Sequence, residues 1–173
     1  MKPDGKEHWF VAYTRSCQER KAAEMLSRLG VRSFIASQKV KRQWSDRVKL
    51  VDQILIPHII FVRALDSERV DIIGRVPYMT RYMSSGKGAF DPAVVPDAEM
   101  EAFMLMLSQT EVPVTIVSDC FVPGQKVKVV KGPLSGVVAG IVSVDSRTQV
   151  SIDLSILGAA VAEISLEDIV PAE

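Results

Sequence analysis

The feature that most restricts the fold of this chain is a glycine-punctuated series of valines near its C-terminal end. Val127 and Val129 alternate with lysines, which is the two-residue period of a half-buried strand. Gly132-Pro133 then interrupts the strand, and Gly136 offers a second position that is free to take a positive φ. A second apolar run follows. The pattern predicts an antiparallel hairpin within a small β domain, although an ordinary hairpin of an unrelated β protein would look the same.

Short strands also account for the rest of the C-terminal part. Alternating apolar residues and turn signals predict strands over residues 125–130, 137–145, 149–154 and 160–164. Strands this short and closely spaced predict a small closed barrel, because closure removes exposed strand edges. The segment before them carries no strong pattern and is interpreted as a linker, within which residues 114–117 could pair as a short strand.

The N-terminal part mixes strands with helices. Residues 9–13 are aromatic and β-branched and predict a strand, and Ser16 and Glu19 have the spacing of a capping box that begins a helix. Gly30 ends this helix. A second strand follows it, and the polar residues 39–49 predict the tip of a hairpin.

The return strand of that hairpin is predicted over residues 54–62, whose continuous apolar character indicates burial or contact on both faces. Ser67 can cap a second helix with Val70 and Ile73 facing inward. After a further strand, Pro96-Asp97 begins a third helix with apolar residues at i, i+3, i+4 and i+7 spacing. The order β-α-β-β-α-β-α predicts an α+β domain, in which helices pack on an antiparallel sheet.

Charge is divided unevenly along the chain, although its net value is zero. Residues 1–90 contain 17 Lys and Arg against 9 Asp and Glu, whereas residues 113–173 contain 4 against 7. The basic part predicts a polyanion partner, with an ordinary solvated surface as the alternative. No apolar run approaches the roughly 18 residues of a membrane helix, and the start lacks a signal-peptide core, so we expect a cytoplasmic protein with no membrane partner.

Catalytic and metal-binding patterns are missing from the sequence. His8 and His58 are the only histidines, and Cys17 and Cys120 form no CxxC pair, so neither a metal site nor a cofactor is expected. No phosphate-binding loop, nucleophile elbow or histidine–carboxylate cluster appears. The chain is therefore predicted not to be an enzyme, and a small α+β enzyme is the least favoured hypothesis.

Both parts together resemble the NusG-type transcription elongation factors, which have an N-terminal NGN domain and a C-terminal KOW domain. The Gly-Pro hairpin resembles the KOW motif of SH3-like barrels, and Trp9-Phe10-Val11 before a helix resembles the opening of an NGN domain. Residues 56–62 and 76–82 resemble two further NGN segments. The resemblance implies three segments, namely an NGN domain over residues 1–108, a linker over 109–120 and a KOW domain over 121–173.

The similarity is greatest to the UpxY-like antiterminators of capsular polysaccharide operons. It rests on the strand Pro57 to Val62, on residues 78–83, and on the start of the third helix. It implies a monomeric, specialised NusG paralogue that binds RNA polymerase and promotes read-through of pauses and terminators on long operons. A general NusG housekeeping factor and an RNA- or ribosome-binding KOW protein are the alternatives.

The same resemblance implies the roles of individual residues in the first domain. Ile59, Phe61 and Tyr82 would dock on the clamp helices of the largest RNA polymerase subunit, unless they are simply core residues. A second group would face non-template DNA, unless it is a solvated helix face: Arg15, Gln18, Arg20 and Lys21. The densest basic cluster, which includes one aromatic residue, lies between residues 39 and 49. It either touches nucleic acid or is a charged hairpin tip. Its residues are Lys39, Lys41, Arg42, Trp44, Arg47 and Lys49.

In the KOW domain, the resemblance places partner-binding residues at Leu134, Ile156 and Leu157. In relatives the partner is a small-subunit ribosomal protein or the Rho factor. This chain has Ser135-Gly136 where the common pattern has more bulk, and it lacks the aromatic residue after Gly-Pro. These departures argue against Rho and weaken the expectation of a ribosomal partner.

Overall fold

The computed structural model describes residues 5–44, 47–86, 91–109, 114–117, 126–144, 147–154, 157–165 and 168–172. The chain forms two compact units. The first, unit 1, consists of Met1–Ala36 and Ile56–Asp97, and the second, unit 2, of Ser37–Leu55 and Ala98–Glu173. Unit 2 thus includes the hairpin and most of the third helix as well as the C-terminal strands. The predicted domain boundaries at residues 108 and 121 stay a prediction.

Unit 1 is built on an antiparallel sheet around strand β1 (Glu7–Thr14). The other strands are β2 (Arg32–Phe34), β5 (Ile59–Leu65), β6 (Met79–Tyr82) and β7 (Val94–Val95). One edge of β1 pairs with β5. The other edge pairs with β6 at the C-terminal end of β1 and with β7 at Trp9 and Phe10. β2 pairs with the free side of β5. The predicted antiparallel sheet is confirmed.

Two helices, α1 (Glu19–Arg28) and α2 (Arg69–Arg75), contribute residues to the core of unit 1. Alternate residues of a strand point to opposite faces, so Phe10 and Ala12 of β1 lie on the same face as Ile60 and Val62 of β5. These side chains form one buried cluster with three helix residues, namely Ala22, Leu26 and Ile72. The α+β class of the N-terminal part is confirmed.

The start of α1 differs from the predicted capping box. The N-cap residue is Gln18, it makes no capping bond with its side chain, and Ser16 lies outside the helix. Glu19 instead accepts a hydrogen bond from the backbone N–H of His58. The capping box is therefore wrong, whereas Gly30, with φ 75°, follows the end of α1 as predicted.

The predicted strand over residues 54–62 is also wrong, because a turn divides it. β3 (Ser37–Gln43) and β4 (Val48–Ile54) form a two-stranded sheet, and β5 begins only at Ile59. Pro57 lacks a backbone donor and His58 has φ 63°, so neither continues a strand ladder. The predicted polar hairpin exists, but most of its residues are strand and its tip is short.

The C-terminal part of unit 2 is a six-stranded antiparallel sheet of order β13-β9-β10-β11-β12-β8. Helix α3 (Asp97–Ser108) precedes it, beginning where predicted. The strands are β8 (Val114–Val117), β9 (Lys126–Val129), β10 (Val138–Val144), β11 (Arg147–Asp153), β12 (Ala159–Glu163) and β13 (Ile169–Pro171). β8 pairs with β12, so residues 114–117 are a strand within the predicted linker. No helix within the described ranges is long and apolar enough to cross a membrane.

Substitution of Gly136 tests the backbone conformation of the hairpin that joins β9 to β10. Its φ is 96°, and an added Cβ would meet no atom within 4 Å, so Gly136→Ala introduces backbone strain without a clash. We expect the free energy of unfolding to fall by about 1 kcal/mol. Gly74 has the same open surroundings in helical backbone of α2, so Gly74→Ala should raise it by about 0.5–1 kcal/mol. Urea denaturation measures both; changes of the same sign would contradict the assigned backbone conformations.

Candidate nucleic-acid interface

The loop that follows β1 is held in place by backbone hydrogen bonds. The N–H of Arg15 donates to the carbonyl oxygen of Tyr78 at 2.9 Å, and the N–H of Gln18 donates to that of Arg15 at 3.1 Å. Cys17 takes a positive φ of 56° between them. The side chains of Arg15 and Cys17 are exposed, so a fixed backbone presents them to solvent.

A buried carboxylate connects this loop to the turn before β5. Glu19 is 3% exposed, and its Oε1 accepts the backbone N–H of His58 at 2.8 Å. The carbonyl oxygen of His58 in turn accepts the N–H of Thr14 at 2.9 Å. The exposed His58 ring has its Nδ1 3.9 Å from the same Oε1. The end of β1, the start of α1 and the start of β5 are thus joined through two residues.

Cations beside tyrosine rings characterise the surface next to the loop. Lys21 Nζ lies 5.9 Å from the ring centroid of Tyr78, and Arg81 Cζ lies 4.9 Å from that of Tyr13. Arg81 is directly opposite Tyr13 in the pairing of β6 with β1. These four residues and Arg15 are called the loop surface below. Exposed guanidinium and ammonium groups can neutralise phosphates, and tyrosine rings can stack on bases.

The four residues predicted to face DNA have different environments. Arg15, Arg20 and Lys21 are exposed, as a phosphate contact requires. Gln18 is half-buried, and its Oε1 is buried without a hydrogen-bond partner among the described residues. The side-chain acceptor of Gln18 is therefore not presented to a base edge. The role of the three cations stays a prediction.

Sequence reasoning assigned no DNA contact to Tyr13, Tyr78 or Arg81. They reach the loop because β6 pairs with β1 across more than 60 residues of chain. The only sequence signal was their basic and aromatic character beside the predicted strands.

The residues predicted to dock on polymerase are largely buried. Ile59 and Phe61 do lie on the face of β5 opposite Ile60 and Val62, but they are 4% and 0% exposed. The Phe61 ring lies 6.2 Å from that of Phe34. Both faces of β5 are buried, as the continuous apolar character of the segment indicated, and docking through Ile59 and Phe61 stays a prediction.

Tyr82, the third predicted docking residue, is half-buried. Its ring meets that of Phe10 edge to face at 5.8 Å between centroids. Its hydroxyl oxygen is buried and has no hydrogen-bond partner in the described part of the chain. Tyr82 therefore contributes mainly to the core of unit 1.

The residues predicted to bind a KOW partner are likewise not all at the surface. Leu134 is 1% exposed, and its carbonyl oxygen accepts the N–H of Val137 at 3.2 Å. It is a core residue of the hairpin rather than an exposed loop residue. Leu157 is half-buried, and Ile156 lies outside the described residues. Across the ranges that the structure covers, no three His, Cys, Asp or Glu side chains are grouped to hold a metal ion.

Comparison with a family model shows to which family this chain belongs. The model of NusG, described as transcription termination factor nusG, matches residues 7–104, more than half of the chain. The chain belongs to the NusG family. NusG proteins are transcription factors without enzymatic activity, which agrees with the prediction that the chain is not an enzyme. No curated protein is similar enough to match.

Solved structures of NusG relatives match over nearly the whole chain. One, described as "Domain interaction in Thermotoga maritima NusG", is 22% identical with a TM-score of 0.50, and the match covers 98% of this chain and 99% of that chain. It supports a NusG-like fold. Two conformations of the MjSpt4:Spt5 complex are 13% and 14% identical over 95% of this chain and 98% and 97% of theirs. Their TM-scores of 0.33 and 0.28 are too low to support a structural argument.

The Tyr82 hydroxyl allows a test at alkaline pH. Burial raises the pKa of Tyr82 from 10.0 to about 12, against a smaller lowering by Arg69. Folding therefore favours the neutral phenol, so its contribution to stability is complete below pH 10 and is lost as the pH rises toward 12. We expect the free energy of unfolding of Tyr82→Phe to fall less steeply above pH 10 than that of the wild type. Urea denaturation across this range measures both, and parallel curves would contradict the burial of the hydroxyl.

Proposed function

We propose that this NusG-family protein binds RNA polymerase and promotes read-through of pauses and terminators. The observation that carries the proposal is the family match over residues 7–104. A factor of this kind acts without catalysis, because a ligand that binds the elongating state more tightly than the paused state raises the population of the former. Residues 1–108 would form the NGN domain that engages polymerase, and residues 121–173 a KOW domain.

Docking on the clamp helices through Ile59, Phe61 and Tyr82 remains part of the proposal, with one added requirement. Because Ile59 and Phe61 are buried, docking through them requires that this face of β5 become accessible when polymerase binds. The loop surface needs no such change, since Arg15, Lys21 and Arg81 are already exposed. We assign it to the phosphates of the non-template strand.

A specialised role on long capsular or exopolysaccharide operons is the finer proposal, and it rests on the resemblance to UpxY-like antiterminators. In this role the protein would act as a cytoplasmic monomer. The buried Leu134 weakens the assignment of a ribosomal partner to the hairpin tip. A general NusG factor is the second candidate, because the family match over residues 7–104 does not distinguish specialised members from general ones.

Two cations of the loop surface test the DNA contact. The double variant Arg15→Gln/Lys21→Gln removes two exposed charges, so we expect it to reduce the gain in read-through several-fold and to lower the dependence of that gain on salt. The measurement is in vitro transcription across a terminator with and without the full-length protein. Arg28→Gln is the control on the same helix, because Arg28 is already paired with Glu24 at 2.6 Å and an exposed pair contributes little stability.

The possible outcomes separate two claims. If the wild-type protein changes read-through on no template, the antitermination proposal is wrong. If the wild type is active and the double variant behaves like Arg28→Gln, polymerase engagement stands and the assignment of the loop surface to DNA is wrong.

A further inference from the structure

The β3–β4 hairpin is a regular two-stranded ribbon with an anchored base. Its strands pair in continuous register from Ser37 opposite Ile54 to Gln43 opposite Val48. Within the described residues it adds to no other sheet. At the base, the buried Gln38 donates from Nε2 to the carbonyl oxygen of Gln109 at 2.5 Å and accepts the N–H of Val114 at Oε1 at 3.1 Å. These bonds fix the base, so the ribbon can present its outer residues in a defined arrangement.

The outer part of the ribbon carries exposed positive charge. Its cations are Lys39, Lys41, Arg42, Arg47 and Lys49, and all are exposed. None of them takes part in an ion pair among the residues that the structure describes. Arg42 stands directly opposite Lys49, where like charges are unfavourable, and its Nη2 donates to the neutral Oε1 of Gln53 at 3.3 Å. A polyanion would relieve this repulsion.

The tip adds an aromatic ring. Trp44 is 61% exposed, and its backbone N–H is fixed by a hydrogen bond to the carbonyl oxygen of Arg47 at 2.8 Å. Trp44 follows the cation Arg42 by two residues and is bonded through its backbone to that of Arg47, so the partner that fits is both anionic and able to stack.

We infer that the β3–β4 ribbon binds single-stranded nucleic acid, holding phosphates with its cations and stacking a base on Trp44. A single strand fits better than a duplex, because the flat faces of paired bases are already covered by their neighbours. DNA and RNA share the required chemistry. The inference does not depend on the proposed function, since the contact requires no polymerase.

The two tryptophans provide a residue-specific measurement. Trp9 is 1% exposed and Trp44 is 61% exposed, so the solvent-accessible emission comes from Trp44. The full-length protein is titrated with oligothymidylate, with oligouridylate of equal length and with a duplex of that length. We expect single strands to quench this emission and to bind more tightly than the duplex. The first two titrations show whether DNA or RNA is preferred.

Charge variants test the phosphate contacts. The triple variant Lys41→Gln/Arg42→Gln/Lys49→Gln should weaken binding at least tenfold and should reduce the slope of log K against log salt by about 2, at roughly 0.7 per lost phosphate contact. The matched control is Lys126→Gln/Lys128→Gln/Lys131→Gln, which removes the same charge from exposed lysines on and next to β9. All six positions are exposed, so both variants should fold.

Four results would overturn the inference. They are unchanged Trp44 emission while an oligonucleotide binds, equal weakening by the two triple variants, tighter binding of the duplex, and full oligonucleotide affinity of the ribbon variant combined with loss of polymerase binding. The last result would assign the ribbon to a protein partner. Absence of read-through activity with normal oligonucleotide binding would count against the proposed function alone.

Discussion

Unit 1 depends on the burial of strand β1 on both faces. Trp9, Phe10, Val11 and Ala12 are at most 1% exposed, and both edges of the strand are paired. A shift of one residue in register would exchange the two faces, so the pairing is strongly specified. The end of β1, and with it the position of the loop surface, is therefore fixed. The register with β6 shifts between Tyr13 and the next residue, an irregularity of the kind that redirects side chains beside functional surfaces.

Glu19 continues this constraint from the sheet to the helix. A buried carboxylate is costly unless hydrogen bonds compensate it, and here the backbone N–H of His58 provides one. The same bond holds the turn before β5, in which His58 has a positive φ. The start of α1 lacks a side-chain cap, and its first acidic residue accepts a hydrogen bond from the neighbouring turn. This arrangement places the exposed side chains of Arg15 and Lys21 beside a rigid backbone rather than on a free loop.

The sequence predicted several elements from local signals, although the capping box at Ser16 was wrong, Glu68 rather than Ser67 is the N-cap of α2, and Val70 is exposed rather than facing inward. The apolar spacing of α3, the glycine after α1 and the alternation of Val127 with Val129 all correspond to observed structure. The β3–β4 ribbon was mistaken for a polar tip, because a strand pair exposed on its outer part has no hydrophobic period to reveal it. Other errors arose where tertiary contacts decide, as when the turn at His58, bonded to Glu19, divides the predicted strand over residues 54–62. In the candidate site, the exposure of the cations was predictable, whereas the approach of Arg81 to Tyr13 depends on long-range pairing.

The ion pairs show where the excess of basic residues is neutralised and where it is not. Residues 1–90 hold the excess of basic residues, but part of that excess is neutralised locally, by the pairs of Arg28 with Glu24, Arg63 with Glu7 and Asp97, Arg69 with Asp66, and Arg75 with Asp71. None of these pairs belongs to the loop surface or to the β3–β4 ribbon. Within the described residues, the cations of these two surfaces thus have no carboxylate partner, which leaves their charge available for the proposed phosphate contacts.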